Sequence, residues 1–280
     1  MNRSYQGIFA TDLDGTLMHG GRIAAEDRAA LETLKERNIL RVIATGRSLH
    51  SARTCLEPGF PADYLVLSTG NQVLNWQTEE MLFSSLLPGR AVHEICRLLT
   101  DLDLSFMVHD AFPDNHRFAF HRSGRRVEDF ERRLALHAPL GRKLEGRAET
   151  ASQVVAIVDA GHETLHEHVA RRLHDLSVIR ATSPLDGRSL WIEIFAAKVS
   201  KAEGIRRIAE HHGLHGVPVA AIGNDHNDKD MLDLAHLAYR VDNSHLHQDA
   251  RYITAPDSNG AVAFAIGHYT DTLQSGMTHT

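Results

Sequence analysis

Short apolar segments alternate with helical patterns near both ends of this 280-residue sequence. Residues 8–11, 39–44 and 64–68 are apolar runs of strand length, and segments with helical periodicity separate them. The same alternation returns after residue 200, with apolar runs at 217–222 and 238–241. Strands that alternate with helices at this spacing are joined by right-handed crossovers. The pattern therefore predicts an α/β fold with a Rossmann-like parallel sheet core and helices on both faces.

The middle of the chain has a different pattern. It contains two hairpin signals, a loop at 113–115 with proline, aspartate and asparagine, and an Asp-Gly turn at 186–187. Adjacent hairpins combined with helices indicate an antiparallel α+β unit of about 100 residues, a common domain size. We therefore predict an inserted α+β domain at 87–186 and a discontinuous core domain formed by 1–86 and 187–280.

Composition and charge exclude several classes of protein. No run approaches the roughly 18 apolar residues of a membrane-spanning helix, and Asp12 and Asp14 come too early for a signal peptide, so we expect a cytoplasmic protein. Cys55 and Cys96 lie far apart, which argues against a disulfide framework and a thiolate metal site. The net charge of −6 argues against nucleic acid or a membrane surface as the partner. The sequence carries no signal for an oligomeric state.

Polar residues directly follow the predicted core strands. In an open parallel sheet, ligands bind beyond the carboxyl ends of the strands. Asp12 and Asp14 follow the first strand and precede a turn at Gly15, so both carboxylates can face one small space. Their mutual repulsion is tolerable when a hard cation such as Mg²⁺ lies between them. A simple Asp-Gly turn is the alternative, whereas a calcium loop is excluded because Leu17 occupies the position that needs glycine.

Three further positions are ambiguous when each is considered alone. Thr45 and Gly46 could bind an anion or cap the next helix. Lys201 could neutralise an anion or lie in solvent. The loop 224–228 could bind a metal or form an ordinary polar turn.

The order of four motifs resolves the ambiguity. Asp-Leu-Asp-Gly-Thr-Leu at 12–17, Ala-Thr-Gly-Arg at 44–47, Val-Ser-Lys at 199–201 and Gly-Asn-Asp-His-Asn-Asp at 223–228 follow each other in this order. They resemble the motifs of the haloacid dehalogenase-like phosphohydrolases. The resemblance is to the Cof-type branch, in which a large α+β cap lies between the second and third motifs, and it covers nearly the whole chain.

The resemblance implies a role for each matching residue. Asp12 would be the catalytic nucleophile that forms an aspartyl-phosphate. Asp14 would be the catalytic acid and then the base, which needs a raised pKa, and its backbone carbonyl would help to bind Mg²⁺. The phosphoryl oxygens would be held by Thr45, Gly46, Lys201 and Asn227. The metal ligands would be Asp12, Asp14, Asn224 and Asp228.

The fourth motif departs from the family pattern, which usually has aspartate at the position of Asn224. An amide oxygen still ligates Mg²⁺, so we expect weaker metal affinity unless Asp225 takes its place. Lys198 is an alternative to Lys201, and His226 is either a substrate contact or a solvated loop residue.

The resemblance implies a Mg²⁺-dependent phosphatase that acts on a small phosphorylated metabolite, with sugar phosphates as the first class of substrate and the cap as the source of specificity. Two alternatives stay open. One is a phosphomutase of the same superfamily, and the other is a protein that binds phosphorylated metabolites without turning them over.

Overall fold

The computed structural model describes residues 5–146, 149–242, 244–246, 251–256 and 260–276. Its internal contacts divide the chain into two units. We call the first the core unit, which comprises the chain up to Arg47, Ala52–Phe83 and the chain from Ser200 onward. The second, the inserted unit, comprises Ser48–Ser51 and Ser84–Val199.

Strands and helices are numbered in chain order over the described residues. The strands are β1 (Gly7–Thr11), β2 (Met18–His19), β3 (Arg22–Ile23), β4 (Ile39–Ala44), β5 (Tyr64–Leu67), β6 (Gln72–Asn75), β7 (Met81–Ser84), β8 (Leu87–Pro88), β9 (Ser105–His109), β10 (Phe118–His121), β11 (Gly141–Lys143), β12 (Thr150–Ala151), β13 (Gln153–Val158), β14 (Ser177–Thr182), β15 (Leu190–Phe195), β16 (Val219–Gly223), β17 (Leu237–Val241) and β18 (Ile253–Ala255). The helices are α1 (Ala25–Glu36), α2 (Leu49–Ala52), α3 (Gly89–Asp101), α4 (Glu128–Leu136), α5 (Glu163–Arg172), α6 (Lys201–His211), α7 (Lys229–Leu234) and α8 (Ala261–Gly276).

The core unit is built on an eight-stranded sheet in the order β18-β17-β16-β1-β4-β5-β6-β7. The strands from β18 to β5 are parallel, and β6 pairs antiparallel with β5. Every residue of β1, β4, β5 and β16 is buried, because helices cover both faces of the sheet.

Alternate residues of β1 show which helix covers each face. Ile8 packs in a cluster with Ile205 of α6 and Met231 of α7. Phe9 points to the opposite face, where its ring lies 6.3 Å from the ring of Tyr269 in α8. The predicted core, a parallel sheet between two helical layers, is confirmed.

The inserted unit contains a six-stranded sheet in the order β11-β10-β9-β13-β15-β14. All its pairs are antiparallel except β10 with β11. Helices α3 and α5 pack on one face of this sheet, and α4 packs on the other. Within the described ranges, no helix in either unit combines the length and the apolar character that a membrane span needs.

The division by contacts differs from the boundaries expected from the sequence. The expected core segment 187–280 includes β15, whereas β15 pairs with β13 and β14 in the sheet of the inserted unit. All six residues of β15 are buried. Its sequence is apolar apart from Glu193, as expected of a strand covered on both faces, so β15 resembles a strand of the parallel core.

Candidate active site

The topology brings three predicted motifs to one edge of the core sheet. Strands β16, β1 and β4 are adjacent and parallel, so their carboxyl ends lie side by side. Asp12 directly follows β1, Thr45 follows β4 and Asn224 follows β16. The remaining motif, Val-Ser-Lys, lies at the start of α6, whose first residue is Lys201. Ser200 caps this helix by accepting a hydrogen bond from the backbone N–H of Glu203 at 3.2 Å.

Lys201 is fully buried between two carboxylates. Its Nζ lies 2.7 Å from Oδ1 of Asp12 and 2.5 Å from Oδ1 of Asp228. Burial lowers the pKa of Lys201, but Asp12 and Asp228 outweigh this effect and hold the pKa above its usual value. The lysine is therefore a permanent positive charge at the end of β1.

The pKa of Asp12 is also raised, which disfavours its charged form. Its side chain is 7% exposed, and burial together with the nearby charge of Asp228 raises its pKa to about 8, although Lys201 opposes the change. Two buried carboxylates that share one ammonium group favour the arrival of another cation.

Asp228 is engaged on both sides of its carboxylate. Besides the contact with Lys201, its Oδ2 accepts hydrogen bonds from the backbone N–H groups of Asn224 at 2.9 Å and Asp225 at 3.0 Å. Asp225 in turn caps the short 3₁₀ turn His226–Asp228 with its side chain. These contacts favour Asp228 as the residue that fixes Lys201 and the loop, and its predicted role as a metal ligand stays a prediction.

Asn224 lies against the loop that follows β1. Thr16 donates a hydrogen bond from its hydroxyl to Oδ1 of Asn224 at 3.3 Å. Gly15 has φ +81°, and a Cβ on this residue would lie 2.4 Å from Nδ2 of Asn224. The amide oxygen of Asn224 is therefore beside the Asp12–Thr16 loop, whereas the carboxylate of Asp225 is used in capping.

The oxygen donors at this edge are of the kind that Mg²⁺ prefers. Asp12 supplies a buried carboxylate with a raised pKa, and Asn224 supplies an amide oxygen beside the same loop. In the part of the chain that the structure describes, no three His, Cys, Asp or Glu side chains are grouped as metal ligands.

Asp14 is paired with Arg47, a contact that the sequence analysis did not anticipate. Nε of Arg47 lies 2.7 Å from Oδ2 of Asp14, and Nη2 lies 2.7 Å from Oδ1. The only available signal was the position of Arg47 in the Ala-Thr-Gly-Arg motif. The two side chains are 27% and 36% exposed, so the pair is reachable from solvent.

Thr45, Gly46 and Asn227 meet at the same edge of the sheet. Thr45 is buried, and its hydroxyl accepts a hydrogen bond from the N–H of Arg47 at 3.1 Å. A Cβ on Gly46 would lie 3.9 Å from Nδ2 of Asn227 and 3.6 Å from Oγ1 of Thr69, a residue that the sequence analysis did not single out. The structure thus brings Thr45, Gly46 and Asn227, three of the four predicted phosphate ligands, close together.

The alternatives raised for the third and fourth motifs differ clearly in position. Lys198 is exposed and belongs to the inserted unit, whereas Lys201 is buried in the core unit. His226 is half-buried in the turn that ends at Asp228. The geometry therefore favours Lys201 over Lys198.

Known proteins with similar sequences are phosphatases by name. The protein named 5-amino-6-(5-phospho-D-ribitylamino)uracil phosphatase YcsE, from Bacillus subtilis (strain 168), is 24% identical over 273 residues, which are 94% of this chain and 95% of that protein. The putative phosphatase YxeH from the same organism is 25% identical over 281 residues, with 92% and 96% of the two chains covered.

Solved structures share the fold. The phosphatase-superfamily protein BT1666 from Bacteroides thetaiotaomicron has a TM-score of 0.76 and 20% identity, with 95% of this chain and 96% of that chain covered. The HAD subclass IIB sugar phosphatase BT4131 has a TM-score of 0.72 and 16% identity, with 94% and 98% covered. The family model described as haloacid dehalogenase-like hydrolase matches residues 9–266. This match confirms the resemblance inferred from the four motifs, and the chain belongs to the haloacid dehalogenase-like hydrolases.

Proposed function

We propose that this protein is a Mg²⁺-dependent phosphatase that hydrolyses a small phosphomonoester through an aspartyl-phosphate on Asp12. The observation that carries the proposal is the buried carboxylate of Asp12, held 2.7 Å from Nζ of Lys201 at the carboxyl end of β1. Thr45, Gly46 and Asn227 lie at the same edge and offer groups that bind phosphoryl oxygens. The phosphatase names of the relatives support this activity.

In the first step, a carboxylate oxygen of Asp12 attacks phosphorus, and the bond from phosphorus to the leaving oxygen breaks. Lys201 reduces the repulsion between this carboxylate and the anionic phosphoryl group. Asp14 donates a proton to the leaving alkoxide and then accepts a proton from the water that hydrolyses the aspartyl-phosphate. Asp14 takes up from solvent the proton that it donates, since its side chain is 36% exposed, and Arg47 orients Asp14 through the pair of hydrogen bonds.

The carboxylate of Asp12, the amide oxygen of Asn224 and the backbone carbonyl of Asp14 would hold Mg²⁺. When bound, the ion neutralises phosphoryl charge and orients the phosphoryl group toward Asp12. Asp228 keeps Lys201 in place and holds the loop after β16 by accepting a hydrogen bond from the N–H of Asn224.

The substrate class we propose is a sugar phosphate or a similar phosphorylated metabolite. Two similar proteins support it, because one is named for a phosphorylated ribityl compound and the other is called a sugar phosphatase. The net charge of −6 makes a nucleic-acid or anionic membrane partner unfavourable. That the inserted unit serves as the cap and selects the leaving group stays a prediction.

The test is phosphate release from a panel of small phosphomonoesters by the purified chain, with Mg²⁺ present and after its removal with a chelator. We expect steady release of one phosphate per ester only when Mg²⁺ is present. A phosphomutase would interconvert isomeric sugar phosphates without net release. A binding protein would bind phosphorylated metabolites without releasing phosphate or interconverting isomers. The phosphomutase result and the binding-protein result would each overturn the proposal.

A further inference from the structure

The space beside Gly46 is bordered by two polar side chains. At the point where a Cβ on Gly46 would lie, Oγ1 of Thr69 is 3.6 Å away and Nδ2 of Asn227 is 3.9 Å away. Both groups carry hydrogen-bond donors. Because Gly46 has no side chain, an oxygen of a ligand can enter this space and be reached by both donors.

Thr69 has a backbone conformation that its residue type rarely adopts. It follows β5 in the 3₁₀ turn Ser68–Gly70, whose three residues have φ values of +45°, +56° and +101°. A positive φ is uncommon for residues other than glycine, and for a β-branched residue it is an outlier. Such outliers persist where the surrounding structure holds them, and they cluster at functional sites.

Neighbouring segments fix this turn from two sides. The N–H of Thr69 donates to the carbonyl oxygen of Thr45 at 3.0 Å, and the N–H of Ser68 donates to that of Arg47 at 2.9 Å. On the other side, a Cβ on Gly70 would lie 2.0 Å from the carbonyl oxygen of Ser200. The turn is therefore held between the loop after β4 and the start of α6.

We propose that the Thr69 hydroxyl is a further ligand for the phosphoryl group and donates a hydrogen bond to the oxygen that lies beside Gly46. Asn227 donates a hydrogen bond to the same oxygen. The inference rests on the proposed function, because the oxygen belongs to the phosphoryl group that Asp12 accepts. Because its backbone is hydrogen-bonded to the loop after β4, Thr69 has its hydroxyl positioned near the phosphate ligands of that loop.

Two substitutions test the role of the Thr69 hydroxyl separately from that of the backbone conformation. Thr69→Val removes the hydroxyl and keeps the β-branched shape, whereas Thr69→Ser keeps the hydroxyl and removes the methyl group. Thr270→Val is the matched control, because Thr270 is a buried threonine of the core unit whose hydroxyl donates within α8, to the carbonyl oxygen of Gly267. Thr69→Ala supplies the same comparison if the valine variant unfolds.

The measurement is calorimetric binding of inorganic phosphate to the full chain at a fixed Mg²⁺ concentration, with the melting temperature recorded for each variant. We expect Thr69→Val to raise the dissociation constant about tenfold, as for a lost hydrogen bond to a charged group. Thr69→Ser and Thr270→Val should stay within about twofold of the wild type. Where ester hydrolysis is measurable, Thr69→Val should also lower kcat/KM about tenfold.

Three results would overturn the inference. They are unchanged phosphate binding in Thr69→Val, an equal loss in Thr69→Ser, and a wild-type chain that binds no phosphate. Failure of the proposed function gives a different result. If the wild-type chain binds phosphate but hydrolyses no ester, the proposed phosphatase activity is wrong. The phosphate affinities of Thr69→Val and Thr69→Ser still decide the role of Thr69 in that case.

Discussion

Arg47 holds both carboxylate oxygens of Asp14, with Nε and Nη2 each 2.7 Å from one oxygen. This two-point contact is specific to the guanidinium group, because an ammonium group is a point charge. The pair follows from the topology, since β1 and β4 are neighbours and each ends three residues before one of the two residues. It sets the orientation of the carboxyl group that we propose as the catalytic acid.

Replacing Arg47 by lysine should therefore lower kcat about tenfold with little change in stability. The side chains of Arg47 and Asp14 are about a third exposed, and partly exposed ion pairs stabilise proteins by less than about 1 kcal/mol. The measurements are kcat for a hydrolysed ester and the melting temperature. Arg53→Lys is the control, because Arg53 pairs with Glu79 on the surface. Equal kcat values for the two lysine variants would contradict an orienting role for Arg47.

Asp12→Asn should abolish turnover without unfolding the chain. The amide keeps the shape of the side chain but cannot act as a nucleophile, so we expect kcat to fall by at least about a thousandfold. Since burial and Asp228 raise the pKa of Asp12 to about 8, its ionised form is unfavourable in the folded state. The melting temperature without metal should thus stay equal or rise. A variant that keeps a tenth of the activity would rule out the aspartyl-phosphate.

Lys201→Met should be strongly destabilising. It leaves the carboxylates of Asp12 and Asp228 buried without their shared cation, and the loss of one partner from a buried ion pair costs about 3–5 kcal/mol. Urea unfolding measures this free energy. Adding Asp228→Asn to Lys201→Met should recover part of the loss, because one buried charge is removed. Additive effects of the two substitutions would show that the ion pair is not the cause.

The sequence predicted those parts of the site that depend on strand ends. Asp12, Thr45 and Asn224 follow apolar strands, and the parallel-sheet rule places such residues at one edge. Lys201 is predicted by motif order and not by local pattern, because a lysine at a helix start is ordinarily exposed. Its burial depends on Asp228, which is distant in sequence.

Other features depend on tertiary contacts. The strand β15 is apolar apart from Glu193, like a core strand, and the only local sign that it pairs in the inserted sheet is the Asp-Gly turn that joins it to β14. The turn Ser68–Gly70 has an unremarkable sequence, and its positive φ values depend on contacts with the loop after β4 and with Ser200. The pairing of Arg47 with Asp14 likewise depends on which strands are neighbours.

Asn224→Asp should strengthen metal binding. A carboxylate adds a charged ligand beside Asp12 and still accepts the hydrogen bond from Thr16, so the Mg²⁺ concentration for half-maximal activity should fall about tenfold. Asp225→Asn is the matched control, because the Asp225 side chain caps the turn and its amide counterpart keeps a capping oxygen. If Asp225→Asn weakened Mg²⁺ activation and Asn224→Asp left it unchanged, Asp225 would be the ligand.

His109, in the inserted unit, should make folding stability depend on pH. Its Nδ1 donates to the carbonyl oxygen of Asn115 at 2.9 Å, and its Nε2 lies 3.4 Å from Nη2 of Arg133. Burial, and secondarily the charge of Arg133, lowers the pKa of His109 to about 3. Between pH 6.5 and 3 the unfolded chain therefore binds one more proton at this residue, so stability falls as the pH decreases.

Because of His109, the free energy of unfolding should fall by about 2 kcal/mol between pH 7 and pH 5, since each pKa unit corresponds to about 1.4 kcal/mol. Urea unfolding of the wild type and of His109→Gln at both pH values measures it. The glutamine variant is less stable at pH 7, but its stability should decrease by about 2 kcal/mol less on acidification. His174→Gln, at an exposed histidine, should keep the wild-type pH dependence. An unchanged dependence in His109→Gln would mean that His109 takes up its proton equally in the folded and unfolded states.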